Sequence, residues 1–253
     1  MAAIAIPTIM TSPDILIMSD GKFHLAPLAL LRQQSWLSPA FPTGAYSYSH
    51  GIERAVEVGH IHDRDSLVDW LEADLCYGSG RNEAIFFSEA WRCRIEEDCV
   101  RLFEVAELAA AFRGTSEFAL ESSQQAAACL TTLLRVWPDD VLNWLSETLS
   151  ERRVSAALAV VLGVSAARQG IAVDLALPAF LQSSIANLVT AGVRLIPLGQ
   201  TDGQLAISEL EKAVLSTSAL GIKATIEDLG SAASMVDLSS MAHETQYTRL
   251  FRS

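Results

Sequence analysis

From Leu25 to Gly221 apolar residues recur at three- and four-residue spacing almost without interruption. Nowhere does a Val, Ile or Thr run alternate strictly, and no Asn-Gly hairpin signal appears. Period-two alternation would place a half-buried strand, whereas the observed spacing puts apolar side chains on one face of a helix. The chain is therefore expected to be all-α: a single-domain helical bundle of about nine or ten helices over residues 25–221. Residues 1–24, which show no sustained period, read as a flexible N-terminal arm. Residues 222–253 read as a C-terminal tail that orders on a partner.

The punctuation supports this division. Predicted helices cover Leu25–Trp36, Ala45–Val58, a segment capped by Asp63 or Asp65, Asn82–Ile95 and Cys99–Arg113. They continue over Thr115–Val136, Asp139–Leu149, Arg152–Gln169, Leu175–Ile196 and Thr201 to about Gly221. Short polar side chains before helices satisfy orphan N–H groups, which favours Asp63 or Asp65, Asp174 and Thr201 as caps. Pro178 is expected in a first turn, where a missing N–H costs little. Leu67, Trp70, Leu71 and Leu75 form one buried stripe, and Val154–Ala167, apolar all round, is expected inside the bundle.

Composition narrows the function. Eighteen Lys and Arg face 30 Asp and Glu, a formal charge of −12. A chain so poor in clustered cations is a weak candidate for nucleic acid. The charge is uneven: residues 53–121 hold sixteen acids against seven bases, a solvated set of helix faces or a steering surface. Four cysteines, at 76, 93, 99 and 129, form no CxxC pair, which suits free thiols in a reducing compartment. The N-terminus lacks a basic lead-in, and Leu175–Val193 carries too many polar residues for a membrane span. A cytoplasmic protein with no membrane partner is expected.

Catalytic and metal templates fit poorly. Ser47, Ser49, His50 and Glu53 invite a Ser/His/Glu reading, but a nucleophile elbow needs G-x-S-x-G, which is absent. His243 and Glu244 suggest a zinc-protease helix, yet position 247, where the second histidine belongs, is Tyr247. His60 and His62 flank Ile61 and could share a face in extended chain; two imidazoles alone make a weak nickel or zinc site. No Walker A sequence occurs. No cofactor is expected.

Three segments remain that core packing does not explain. The first is the loop around Pro39, Pro42, Gly44, Tyr46, Ser47, Tyr48, Ser49, Gly51 and Glu53. The second is a helix break at Pro197, Gly199, Gln200 and Gln204. The third is the ending His243, Glu244, Gln246, Tyr247, Arg249, Leu250, Phe251, Arg252 and Ser253. Aromatic anchors beside arginines are the composition of interface hot spots, so this tail reads as a docking peptide. Packing on its own bundle is the plainer alternative.

These segments resemble the urease accessory protein F family. The resemblance rests on Phe41-Pro-Thr-Gly-Ala-Tyr-Ser-Tyr-Ser-His-Gly-Ile-Glu53, Ala55-Val-Glu57, Arg113-Gly-Thr-Ser-Glu117, Val193–Gln204 and above all His243–Ser253. Thr43, Ala45, Gly114 and Ala119 depart from the family's pattern. The resemblance implies an all-α homodimer without enzymatic activity. Such a protein joins the urease accessory scaffold protein (D, or H in some species) and the nickel-carrying GTPase G on apo-urease. It recruits the GTPase, modulates its hydrolysis and helps pass nickel to the urease centre. By the same resemblance, His243–Ser253 orders on the scaffold protein, and Pro39–Glu53 lies near the GTPase or the dimer axis. A stand-alone nickel-binding chaperone and a helical enzyme with a small-molecule pocket stay open as alternatives.

Overall fold

The structure is a computed structural model that describes residues 27–253, so the predicted arm at 1–24 lies outside the described residues. Eleven α-helices follow one another: α1 Pro27–Leu37, α2 Ile52–Glu57, α3 Arg64–Tyr77, α4 Ser79–Ile95, α5 Cys99–Ala111 and α6 Ser116–Val136. The series ends with α7 Asp140–Arg152, α8 Leu158–Arg168, α9 Val173–Leu195, α10 Gln200–Lys223 and α11 Ser234–His243. Single 3-10 turns lie at Ala45–Ser47 and Ile226–Asp228, and no strand occurs among the described residues.

The all-α class is as expected, with a larger number of helices. The extra one is α11, in the segment read as a tail. Its buried residues are Val236, Ser239, Ser240 and His243. Their spacing is that of a helix face, but serines and a histidine carry it instead of apolar residues, which hides it from a hydrophobic pattern. Two predicted helices were also too long. Ala45–Val58 breaks into the 3-10 turn and α2, because His50 and Gly51 are both left-handed, at φ 55° and 78°. Arg152–Gln169 splits where Arg153 takes φ 58°, ending α7 and leaving residues 153–157 outside any helix.

Of the predicted caps one holds, and two residues expected as helix starts act as caps instead. Asp63 accepts from the Ser66 N–H at 2.9 Å in a reciprocal capping box, and Thr115 and Asp139 accept from Phe118 and Leu142. Two do not. Ala172 rather than Asp174 precedes α9, so Pro178 falls in its second turn. Gly199 precedes α10, where Asp202 reaches back to the Gly199 N–H at 2.9 Å, leaving Thr201 inside the helix.

The centre of the bundle is α8, whose residues from Ala159 to Ala167 are all buried. Each fully buried Val or Leu of this kind contributes about 1.5–3 kcal/mol. Helix α4 makes the most extensive contact with it. The close approach depends on Gly163: a Cβ there would lie 2.4 Å from the Phe87 carbonyl oxygen. Helix α9 is long and apolar enough, at a mean hydropathy of 1.3, to cross a membrane, which its polar residues were expected to prevent. Its Leu177, Phe180, Leu181, Ile185 and Val189 are instead buried, and it packs along α10. Helix α11 closes one side, against α2 and α6.

Candidate functional site

The loop at 39–53 and the tail at 243–253, both singled out in the sequence, meet in one layer. Their junction is Glu53, in the first turn of α2 and buried. Its carboxylate accepts the Leu250 N–H at 2.6 Å and the Phe251 N–H at 2.9 Å, and faces His243 Nε2 at 3.1 Å. The other ring nitrogen of His243 lies 2.8 Å from Glu117 of α6. His243 is thus fully enclosed between two carboxylates. Arg249 binds Glu117 from the outside at 3.0 Å. Burial pushes the Glu117 carboxyl above its ordinary range, against the pull of His243 and Arg249.

Beyond Glu53 the tail runs beside the loop. The Arg252 N–H donates to the Ser47 carbonyl at 2.8 Å, and the Ser49 N–H and hydroxyl both donate to the Ser253 main-chain oxygen, at 2.7 and 2.5 Å. The Ser253 hydroxyl donates to Glu121 at 3.0 Å. Phe251 is buried, with the Arg194 guanidinium 4.4 Å from its ring centroid in a cation–π arrangement. Arg194 also donates to the Tyr46 carbonyl, tying the end of α9 to the loop. Gly51 allows α11 to seat: a Cβ there would be 3.1 Å from the Ser240 nitrogen, and its φ is left-handed.

What this layer turns outward differs from what it buries. Tyr247 is fully exposed, and Leu250, Met235, Leu238 and Met241 are about half exposed. Tyr46 on the loop is also exposed, whereas Tyr48 is buried and donates its hydroxyl to Gln124 at 2.6 Å. Glu244 caps the edge through Ser116, and Gln246 donates to the Thr248 carbonyl. Pro39 and Pro42 lie on the surface, and Gly44 takes φ 74° before the 3-10 turn. Pro197, Gly199, Gln200 and Gln204 are exposed at the α9–α10 turn and do not join the layer.

The suspected Ser/His/Glu grouping comes apart and is replaced by another. His50 does not meet Ser47 or Ser49; its Nε2 is 2.8 Å from the Ser79 hydroxyl and its Nδ1 is 3.1 Å from Glu121. Ser79, at the first position of α4, donates in turn to Asp74 at 2.9 Å. The outline is that of a serine, histidine and carboxylate chain, but the proton count is wrong for nucleophilic catalysis. Burial lowers the affinity of His50 for a proton, yet Glu121, with Asp74 and Glu83 behind it, outweighs that and raises its pKa to about 9. At neutral pH the ring is an imidazolium donating at both nitrogens, so it cannot take a proton from Ser79. It stacks on Phe118 with ring centroids 3.9 Å apart.

The histidine pair is not gathered into a site. His60 stacks on Trp70 and His62 faces Asp63 at 3.5 Å, both on the surface around a buried Ile61. No group of three or more His, Cys, Asp or Glu is arranged for a metal among the described residues. All four cysteines are free thiols, and burial pushes Cys93 and Cys129 up to about 12, which makes both unreactive.

Glu117, Glu121, Asp74, Ser79 and Arg194 are not singled out as site residues by the sequence, although Glu117 and Arg194 fall within the family-like segments. A signal existed for Asp74, which lies in register with the stripe of Leu67, Leu71 and Leu75 and so had to face inward. The others become visible only when α4, α6 and α9 are placed beside the loop.

A family model for UreF matches residues 61–211. Among curated proteins, the urease accessory protein UreF of Granulibacter bethesdensis is 45% identical over 225 residues, 89% of this chain and 94% of that protein. UreF of Bradyrhizobium sp. strain BTAi1 is 44% identical over 244 residues, 96% of this chain and the whole of that protein. UreF of Rhodopseudomonas palustris strain BisB5 is 43% identical over 89% of this chain and 91% of its own length. The chain belongs to the UreF family. The matched region 61–211 covers the bundle core, while the loop and the tail that carry the layer at Glu53 flank it on either side.

Proposed function

We propose that the protein is a urease maturation factor that works as an adaptor and not as an enzyme. It binds the urease accessory scaffold protein D/H through the tail and α11, recruits the nickel-carrying GTPase G, modulates its hydrolysis and so supports nickel insertion into apo-urease. In this reading it acts as a homodimer in the cytoplasm, and it carries no cofactor of its own. The partners come from the family resemblance; the surface comes from the layer at Glu53.

One observation carries the reading. The Glu53 and Glu117 carboxylates, His243 and the Leu250 and Phe251 amides are paired inside the chain, while Tyr247, Leu250, Met235, Leu238 and Met241 are exposed. A tail of this kind meets its partner with backbone already placed, so less of the roughly 2–5 kcal/mol ordering cost of a disordered peptide is charged to binding. Tyr and Met are favoured at the centres of such contacts.

Gel filtration of the chain with the scaffold protein and the GTPase, with and without GTP, tests this. Deleting residues 243–253 should leave a folded dimer that no longer co-elutes with the scaffold protein. Because that deletion also strips Glu53 of its partners, the double change Tyr247→Ala with Leu250→Ala is the cleaner variant: both side chains are exposed, so the fold stays intact while co-elution is lost. Normal co-elution of both variants overturns the reading.

A further inference from the structure

An open cleft of about 450 Å³ lies beside the His50 cluster, between the end of α1, the α3–α4 junction, α6 and α9. Its lining is of two kinds. The carboxylates Asp74, Glu83, Glu121 and Asp237 come from α3, α4, α6 and α11. Among the described residues, the end of α1 with α8 and α9 contributes no charged group and most of the large apolar ones, Leu162, Phe180 and Leu188 included. Helix α1 leads to this wall from its far end. Arg32 donates to Gln169, ahead of α9, at 2.6 Å, while the Ser183 hydroxyl donates to the Leu37 carbonyl at 2.8 Å. Residues 1–26 therefore join the molecule one helix length from the cleft, about 16 Å for eleven residues.

We propose that the cleft is filled by the chain's own residues 4–10, folded back along α1. The inference does not rest on the adaptor reading. Composition picks the segment. Ile4-Ala-Ile-Pro-Thr-Ile-Met10 is apolar but for Thr8, and no charged side chain occurs from Met1 to Pro13. It suits an apolar wall and adds no charge to the four carboxylates. The nearer run Ile15-Leu-Ile-Met18 lies between Asp14 and Asp20, which those carboxylates repel. Reach allows the return: the sixteen residues 11–26 span up to about 50 Å when extended, well beyond the length of α1. The path is apolar too, because Leu28 and Leu31 share a face of α1 and both are exposed. Tethering makes the encounter intramolecular, so the segment acts at a high effective concentration. Its main-chain amides match the carboxylate side, as the Leu250 and Phe251 amides match Glu53 at the other end of the chain. Pro7 removes one amide that would otherwise need an acceptor.

Two measurements on the full chain test this. In the first, a benzophenone amino acid takes the place of Ile6, and its photo-cross-links are mapped by mass spectrometry. The expected product joins position 6 to residues 36–39 or 180–188 of the same chain. Mixing isotope-labelled with unlabelled chains identifies links between copies, and a mixed product at the cleft overturns the proposal in favour of a second copy. Links made only outside the cleft overturn it as well. The second measurement uses N-phenyl-1-naphthylamine, an uncharged dye that fluoresces in apolar surroundings. The double change Ile6→Asp with Ile9→Asp, which alters no described residue, should raise dye fluorescence severalfold by emptying the cleft. Equal fluorescence with and without that change overturns the proposal and leaves the cleft to another occupant.

Discussion

The contact of α4 with α8 and the layer at Glu53 are both buried, and they are held by opposite means. Between α4 and α8 the groups are alanines, valines and phenylalanines, with Gly163 letting two backbones approach. At Glu53 the enclosed groups are two glutamates, a histidine and main-chain amides, and the burial is stabilised by charge-assisted hydrogen bonds. Apolar packing is non-directional and indifferent to pH, whereas a buried ionic cluster loses most of its worth when one member is removed. The core can therefore stand while the layer is released. Under the adaptor role proposed above, such a division lets the docking surface be switched without melting the protein.

The sharpest way to break the comparison is to damage the core. Gly163→Val forces a side chain onto the Phe87 carbonyl and should cost about 4–5 kcal/mol or prevent folding, measured by urea unfolding. A loss below about 1 kcal/mol would mean that α4 and α8 are not locked as described. Next in size is Glu53→Gln, which leaves His243 and two amides poorly met. About 2–4 kcal/mol is expected. Hydrogen exchange should place that loss in residues 243–253 and α11, with α8 protected as before. Uniform loss across the chain would show that the two regions are one cooperative unit.

The smallest effect is a pH dependence. His50 has its pKa raised from 6.5 to about 9, so its contribution to stability is complete below about 6.5 and is lost as pH rises through 9. The expected drop between pH 6 and pH 10 is at most about 3 kcal/mol, reduced by solvent screening of the partly exposed ring. It should be absent in His50→Gln. A wild-type curve that matches the variant's would remove His50 as a charged member of the loop.

How much of this was legible depends on what carries the pattern. Leu67, Leu71 and Leu75 declare α3, and the run from Val154 to Ala167 declares the central helix, because apolar burial writes itself in spacing. Asp63, Thr115 and Asp139 mark helix starts by local chemistry alone. Helix α11 was hidden because its inner face is Ser239, Ser240 and His243. The site was legible in its two halves and not in its assembly. Glu53 and His243 were both named, but their contact spans 190 residues, and Ser79 meets His50 only once α4 is set against the loop. Long-range polar pairing leaves no periodic trace.

The reach of Glu53 also sets an order in time. Its two amide partners are made 197 and 198 residues after it. At about 5–20 residues per second, a ribosome takes on the order of 10–40 seconds to supply them. Through that interval the bundle can assemble behind the ribosome while α2 holds a carboxylate with nothing to receive it. The layer at Glu53 is thus completed only after the bundle that carries it, and a chain lacking Leu250 and Phe251 leaves that carboxylate without its two amides.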